Sequence, residues 1–172
     1  MRKLFEIDFK DYDPNGTKCF RPSMRAIIVR DGRLAMIHSL KFDYYKFPGG
    51  GAEVGESPIE TLVREVREEA GLNVIPETVK EFGYVYRIQK GRIEDMFIQN
   101  NYYYLCDVEE KSTSTDLDDY EAEEGFTLEF VTADEAIQVN STHFHGEFND
   151  HWAAMLQRET RVLGILKEEL GL

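Results

Sequence analysis

The chain has little cysteine and little positive charge, and both shortages exclude whole classes of protein. Its 172 residues include two cysteines, Cys19 and Cys106, which provide neither a disulfide framework nor a metal-binding spacing. Lys and Arg total 20 against 33 Asp and Glu, so the net charge is −13. This charge opposes broad attraction to a nucleic-acid backbone or to an anionic membrane. We therefore expect no generic nucleic-acid binding and no membrane association.

Long apolar runs are also lacking. No segment approaches the roughly 18 consecutive apolar residues that indicate a membrane-spanning helix, and residues 1–10 contain no apolar run of signal-peptide length. The sequence thus predicts a cytoplasmic protein. Its length and its 42% hydrophobic content fit one domain over residues 1–172 with its own core. The oligomeric state stays open, and a homodimer is one option.

Alternating apolar runs with turn residues predict a β-rich domain. Asp31-Gly32 separates two apolar runs within residues 25–38, which predicts a β-hairpin. Residues 48–51, Pro-Gly-Gly-Gly, predict a loop that lets backbone approach a ligand closely. The polar, acidic residues 109–125 predict a long loop. Further strands are predicted at Lys80–Gln89, Asp95–Val108 and Thr127–Thr132, and further helices at Ala133–Val139 and His151–Leu170.

The strongest local signal is that of a capped helix between Ser57 and Gly71. Ser57 supplies an N-cap hydroxyl, Pro58 suits the first helical position, and Glu60 completes a capping box. Gly71 supplies a C-terminal stop. A stripe at helical spacing indicates that one face packs on a core, and its members are Ile59, Leu62, Val63, Val66 and Ala70.

The opposite face of this helix is acidic. Glu65, Glu68 and Glu69 lie at positions i, i+3 and i+4, so their carboxylates share one side of the helix. Like charges at this spacing weaken a helix unless something compensates, and hard divalent cations with oxygen ligands are a natural compensation. A merely solvated acidic face is the alternative interpretation, and the surrounding motif decides against it.

The pattern Gly50-x5-Glu56-x7-Arg64-Glu65-Val66-x-Glu68-Glu69-x-Gly71-Leu72 resembles, without substitution, the signature of the Nudix hydrolase family. Phe47-Pro48-Gly49 and Glu129-Phe130-Val131 are similar to further family features. The resemblance implies an α+β fold in which a mixed β-sheet is sandwiched between α-helices. It also implies a loop-helix-loop motif over residues 50–72 that carries a metal site.

The resemblance further implies roles for individual residues. Glu65, Glu68 and Glu69 would contact Mg²⁺ or Mn²⁺, with the backbone carbonyl of Gly49 as another oxygen ligand. The supporting residues are Arg64, which would orient the glutamates and pair with Glu56, and Gly50 and Gly71, which would serve backbone geometry.

The catalytic base is left open by the sequence. Glu65 is one candidate, and Glu124 resembles a late-loop glutamate of MutT-like family members. One more solvated acid in an acidic loop is an equally good interpretation of Glu124, and Glu121 and Glu123 are further choices.

Substrate contacts are predicted upstream of the helix. Tyr44 and Tyr45 are candidates for stacking on a nucleobase, with half-buried strand aromatics as the alternative. Arg25 is a candidate for phosphate contact. So are Arg21, Lys46 and Arg87, for which ordinary surface cations are the alternative.

The sequence thus indicates a metal-dependent hydrolase that cleaves the phosphoanhydride bond of a nucleoside diphosphate linked to another group. A nucleotide-like small molecule is the expected partner. The alternative from another class is a binding module of the same fold that senses a nucleotide without hydrolysis. An isomerase of prenyl diphosphates is disfavoured because the glutamate motif is intact.

Overall fold

The computed structural model describes residues 1–142 and 150–172, and within these ranges the chain forms ten β-strands and four α-helices. The strands are β1 (Lys3–Asp8), β2 (Lys18–Phe20), β3 (Ser23–Ile27), β4 (Val29–Arg30), β5 (Arg33–Ser39), β6 (Tyr44–Lys46), β7 (Gly49–Gly51), β8 (Lys80–Gln89), β9 (Met96–Leu105) and β10 (Phe126–Val131). The helices are α1 (Pro58–Ala70), α2 (Asp119–Glu124), α3 (Ala133–Thr142) and α4 (Asp150–Leu170).

The strands form two sheets. A mixed six-stranded sheet has the order β1-β8-β9-β3-β7, with β2 also pairing with β9. In this sheet β1 pairs in parallel with β8, and β2 and β3 pair in parallel with β9. The β8/β9 and β3/β7 pairs are antiparallel. An antiparallel four-stranded sheet has the order β10-β5-β4, with β6 on β5. The predicted α+β class is confirmed, with two sheets in place of one.

The sheets lie between helices because β3 and β5 bury both of their faces. Alternate side chains of a strand point to opposite sides, so each strand serves two cores. One core joins strand residues to α3 and α4, and its members include Ile27, Leu34, Met36, Ala136, Val162, Leu163 and Leu166. The other joins them to α1, and its members include Ala26, Ile28, Ala35, Ile37, Leu62, Val66 and Ala70. Burial of each large aliphatic side chain contributes about 1.5–3 kcal/mol.

The helix signals are reproduced in the structure. α1 begins after Ser57, whose hydroxyl accepts a hydrogen bond from the Glu60 amide, and both halves of the capping box are present. It ends at Gly71, which adopts the left-handed conformation with φ 63°. β8 has the predicted bounds, and the other predicted strands and helices shift by a few residues. Within the described ranges, no helix is both long and apolar enough to cross a bilayer.

Three predicted segments differ from the structure. The turn at Asp31-Gly32 is present, but the chain changes sheets before it, so β3 lies outside the hairpin of β4 and β5. The predicted glycine loop contains β7, since a Cβ on Gly49 would overlap the Met24 carbonyl of β3 and glycine alone permits this pairing. The acidic loop contains α2, whose capping box is formed by Asp118 and Glu121. β1 and β2 were not predicted.

The C-terminal helices fix the strand that leads into the glycine segment. Glu159 of α4 is fully buried, and its Oε2 accepts a hydrogen bond from the Phe47 amide at 3.0 Å. Its Oε1 accepts from Arg158 Nε at 2.8 Å. Asn140 of α3 bonds both backbone groups of Tyr45, at 2.8 and 2.9 Å. Residues distant in sequence therefore set the position of β6 and β7.

We expect Glu159→Gln to lower the free energy of unfolding by about 3 kcal/mol, because the buried Arg158 guanidinium loses its counter-charge. Urea unfolding followed by circular dichroism measures the effect. Glu168→Gln is the matched control, since Glu168 is exposed on the same helix. Equal stability of the two variants would contradict a structural role for the Glu159 carboxylate.

Candidate active site

A cleft of about 1030 Å³ contains most of the predicted site residues. It is bordered by β7, α1, α2 and α4 and by the adjoining parts of β8 and β9. The predicted residues in its lining are Arg25, Tyr44, Gly49, Gly50, Arg64, Glu65, Glu68, Glu69 and Glu124. Tyr45, Glu56 and Gly71 lie outside this lining.

Arg64 lies at the centre of the acidic face of α1. Its Nε and Nη2 donate to the two carboxylate oxygens of Glu56 at 2.6 and 2.9 Å. Its Nη1 donates to Glu65 at 2.8 Å and to Glu68 at 3.0 Å. The hydrogen bond from Arg64, followed by that from the Glu53 amide, lowers the pKa of Glu56 to about 2. One guanidinium thus holds three carboxylates.

Glu69 is held separately from the other two glutamates of α1. Its Oε1 accepts from Lys46 Nζ at 2.6 Å, and its Oε2 accepts from the Gly49 amide at 2.9 Å. The side chains of Lys46 and Glu69 are only 7% and 3% exposed. Lys46 also lies 4.3 Å from the centre of the Phe126 ring. The interpretation of Lys46 as a surface cation is therefore wrong.

Negative charge accumulates around Glu69. Burial and the Glu69 carboxylate raise the pKa of Glu65, and the same two causes raise the pKa of Glu121 to about 7. The Glu65 carboxylate lies directly against Gly50, where a Cβ would overlap it. Glycine at this position thus leaves space for a carboxylate.

The chemistry of the donor set fits a hard divalent cation, which prefers carboxylate and carbonyl oxygens. The side chains themselves do not converge: in the described part of the chain, no three His, Cys, Asp or Glu side chains form a metal-binding group. Glu65 and Glu68 turn to Arg64, Glu69 turns to Lys46, and the Gly49 carbonyl accepts from Arg25 Nη1. The ligand assignment stays a prediction.

Glu124 and Tyr44 form a buried pair at the edge of the cleft. The Tyr44 hydroxyl donates to Glu124 Oε2 at 2.8 Å, and the Ser39 hydroxyl donates to the same oxygen at 3.3 Å. Tyr44 is 1% exposed and meets Phe126 edge to face at 6.5 Å. Its pKa is raised by burial and by the Glu124 hydrogen bond. Glu124 is therefore not a solvated surface acid.

Tyr45 faces away from the cleft. Its ring stacks on His38 with centroids 4.4 Å apart, and its hydroxyl donates to Glu129 at 2.8 Å. The reason is the alternation of side chains along a strand, because neighbouring residues of β6 point to opposite sides. Base stacking by Tyr45 is not compatible with this placement, which fits the alternative interpretation of an aromatic buried on a strand.

Two charged residues in the cleft were not among the leading candidates from the sequence. Glu121, a secondary choice, is 5% exposed and lines the cleft, and its capping box with Asp118 could have been recognised in the sequence. Arg158 is 2% exposed and also lines the cleft. The sequence contains a signal for Arg158, since the adjacent residues Arg158 and Glu159 interrupt the apolar face of α4. Glu123, in contrast, is exposed and pairs with Lys41.

Comparison with known proteins identifies the family. The NUDIX domain family model matches residues 20–152. The chain therefore belongs to the NUDIX domain family. An RNA pyrophosphohydrolase of Xanthomonas campestris pv. campestris is 29% identical over 141 residues, which cover 81% of this chain and 60% of that protein. The chain thus spans less than two thirds of this relative's length.

Solved structures support the fold. A NUDIX hydrolase from Nitrosomonas europaea aligns with a TM-score of 0.55 and 16% identity, covering 84% of this chain and 90% of that one. A MutT NUDIX hydrolase from Burkholderia pseudomallei aligns with a TM-score of 0.52 and 18% identity, covering 81% and 97%. At these identities the likeness is one of fold.

We expect Arg64→Met to raise the pKa of Glu56 from about 2 toward its ordinary value of 4.5, because the carboxylate loses its charged donor. In the native chain the Glu56–Arg64 contact stabilises the fold above pH 4.5, and this contribution is lost as the pH falls toward 2. Carboxyl ¹³C NMR titration measures the shift.

Arg67→Met is the control for this titration, because Arg67 is exposed on the same helix. It should leave the titration of Glu56 unchanged. A Glu56 pKa that stays near 2 in the Arg64 variant would show that another group holds this carboxylate.

Proposed function

We propose that the chain hydrolyses the phosphoanhydride bond of a nucleoside diphosphate linked to another group, using Mg²⁺ or Mn²⁺. Glu65, Glu68 and Glu69, with the Gly49 carbonyl, would hold the metal. The observation that carries the proposal is the crowding of buried carboxylates around Glu69, which raises the pKa of both Glu65 and Glu121. Membership of the NUDIX domain family supports it.

A phosphoanhydride is shielded by its own negative oxygens, so hydrolysis needs charge neutralisation and a positioned water. A cation held by Glu65, Glu68 and Glu69 would supply charge neutralisation and would lower the pKa of a water molecule bound to it. The chain supplies a cleft and carboxylates oriented by Arg64 and Lys46. The cleft volume of about 1030 Å³ lies at the upper end of the roughly 300–1,000 Å³ of small-molecule sites.

We infer that Glu121 joins Glu65 and Glu124 as a candidate for the general base. Water attack forms a new P–O bond, breaks the bridging P–O bond and releases one proton, which a carboxylate must accept. A carboxyl group with a pKa near the working pH is suited to this transfer. In the metal-free chain, burial and the Glu69 charge raise the pKa of Glu121 to about 7. Burial and the Glu69 charge also raise the pKa of Glu65. Glu121 accepts hydrogen bonds from the Tyr120 hydroxyl at 2.8 Å and the Asp118 amide at 3.0 Å, and Glu124 accepts two from hydroxyl groups.

Fewer residues of the cleft support binding of the nucleotide part of the substrate. Tyr44 presents little exposed surface, so any stacking on a base would use other groups of the cleft. The relative named RNA pyrophosphohydrolase makes an RNA 5′ end one member of a test panel. The others are nucleoside triphosphates, nucleotide sugars and dinucleoside polyphosphates.

We expect at least one member of this panel to be hydrolysed with Mg²⁺ or Mn²⁺ and to be left intact in excess EDTA. Glu68→Gln should lower the rate by at least about a hundredfold, because a charged ligand is lost. Glu68 is preferable to Glu69 for this test. Its side chain is 27% exposed, whereas loss of the Glu69 charge would leave Lys46 buried without a counter-charge.

Glu168→Gln, at an exposed position of α4, serves as the control and should keep the wild-type rate. Equal turnover by Glu68→Gln and wild type would overturn the proposal. Tight binding of a panel nucleotide without turnover at any metal concentration would instead favour the nucleotide-sensing module.

We also expect metal binding near pH 7 to release a proton from Glu121. A cation beside Glu69 cancels the repulsion that raises the Glu121 pKa, so that pKa falls and the proton leaves. Calorimetry of Mn²⁺ binding in buffers of different ionisation enthalpy measures the number of protons released.

The isosteric variant Glu121→Gln should bind Mn²⁺ with less proton release, because its side chain carries no titrating group. Glu123→Gln, on the exposed side of the same helix, should release as many protons as wild type. The same release from all three proteins would exclude Glu121 as the source.

A further inference from the structure

A second group of polar side chains lies in the cleft, on the six-stranded sheet and not on α1. Arg87 and Gln89 point to the same side of β8, and Gln99 of β9 lies directly opposite Arg87. All three line the cleft together with Arg25 of β3 and Arg158 of α4. A sheet face that packs against a helix is normally apolar, so this composition needs a reason.

The guanidinium groups in this cluster are crowded and buried. Arg87 and Arg158 are 1% and 2% exposed. Burial, then the charge of Arg158, then that of Arg25 lower the pKa of Arg87 to about 9. The charges of Arg158 and Arg25 therefore lie close enough to Arg87 to repel it, in addition to the larger effect of burial. In a chain with a net charge of −13, these cations are concentrated in one place.

The hydrogen-bond partners of Arg158 and Arg25 differ in charge. Arg158 bonds to Glu159 and to the Asn101 side chain. Arg25 donates to the carbonyl groups of Phe47 and Gly49, which carry no net charge. Within the described part of the chain, the hydrogen bonds of Arg25 therefore leave its positive charge in place at the cleft.

Two buried atoms beside these cations also have unused hydrogen-bonding capacity. Gln89 is 9% exposed and lines the cleft, and its Oε1 has no hydrogen-bond partner among the described residues. The same holds for Arg25 Nε. Buried polar atoms normally have partners. A half-turn of the Gln89 amide would offer its N–H donors in place of Oε1. Both groups thus have donors for a bound acceptor.

We propose that Arg25, Arg87, Arg158 and Gln89 form an anion subsite that binds a phosphate group of the substrate. Several guanidinium groups match an anion with more than one negative charge and several acceptor oxygens, and a guanidinium binds phosphate through paired hydrogen bonds. A phosphate meets both conditions, whereas a carboxylate carries a single charge.

This subsite explains how an acidic protein retains a polyphosphate. Glu65, Glu68 and Glu69 repel phosphate unless a cation is bound. The guanidinium groups of the anion subsite attract phosphate with or without metal. The inference rests on the proposed function in one respect, namely that the bound phosphate belongs to the substrate. Anion binding itself requires no hydrolysis.

The test is calorimetric titration of the whole protein with inorganic pyrophosphate in EDTA. Wild type should bind, and Arg87→Met should bind at least about tenfold more weakly, because it loses one charged two-pronged contact. Arg30→Met removes the same charge at an exposed position outside the cleft and should bind like wild type. Melting temperatures of all three proteins are measured alongside.

Met retains an apolar side chain of similar length, and the melting temperature shows whether Arg87→Met keeps the fold. If Arg87→Met melts at a lower temperature than wild type, the Gln89→Met variant is used to test the subsite. Weaker pyrophosphate binding at an unchanged melting temperature supports the subsite, and unchanged binding overturns it. Absence of binding by wild type, or equal weakening by Arg30→Met and Arg87→Met, also overturns it.

Glu68→Gln separates this inference from the proposed function. It should lose hydrolysis yet bind pyrophosphate in EDTA at least as well as wild type, because it removes a repelling charge near the anion. Hydrolysis by wild type combined with full pyrophosphate binding by Arg87→Met would reject the subsite alone. Pyrophosphate binding dependent on Arg87, without turnover of any panel substrate, would reject the hydrolase alone.

Discussion

Repulsion among carboxylates on one face of α1 is the constraint that the surrounding structure has to meet. The helix brings Glu65, Glu68 and Glu69 to the same side, where like charges destabilise one another. Arg64 holds two of them, and Lys46 meets the third inside the protein. Because burial strengthens electrostatic interactions, these contacts require β6, β7 and α1 to be fixed closely against each other.

That fixing is provided by the C-terminal helices. Asn140 binds both backbone groups of Tyr45, and Glu159 binds the Phe47 amide, so α3 and α4 hold the segment that carries Lys46. Glu159 also partners Arg158, which lines the arginine side of the cleft. The acidic and basic walls of the cleft therefore depend on the same buried network.

The two walls have complementary tasks in handling a polyphosphate. Carboxylates on α1 and α2 suit cations and a proton, whereas guanidinium groups on the sheet and α4 suit phosphate oxygens. A net charge of −13 gives no attraction over long distances, so binding must come from local charge. Separation of opposite charges onto different elements keeps most of them from neutralising each other. The exceptions are the contacts of Arg64 with its three glutamates and of Lys46 with Glu69.

The sequence by itself determined what depends on local chemistry. The capped helix at Ser57–Gly71, the shared face of Glu65, Glu68 and Glu69, and the glycines before them follow from spacing and backbone preference. Only the tertiary structure decided which charges are buried and which side chains meet. Lys46, Arg87 and Arg158 look like surface cations in the sequence, and Tyr45 looks equivalent to Tyr44. The burial of a side chain and the side to which it points depend on sheet pairing and on helices far along the chain. Local spacing in the sequence contains no information about these distant contacts.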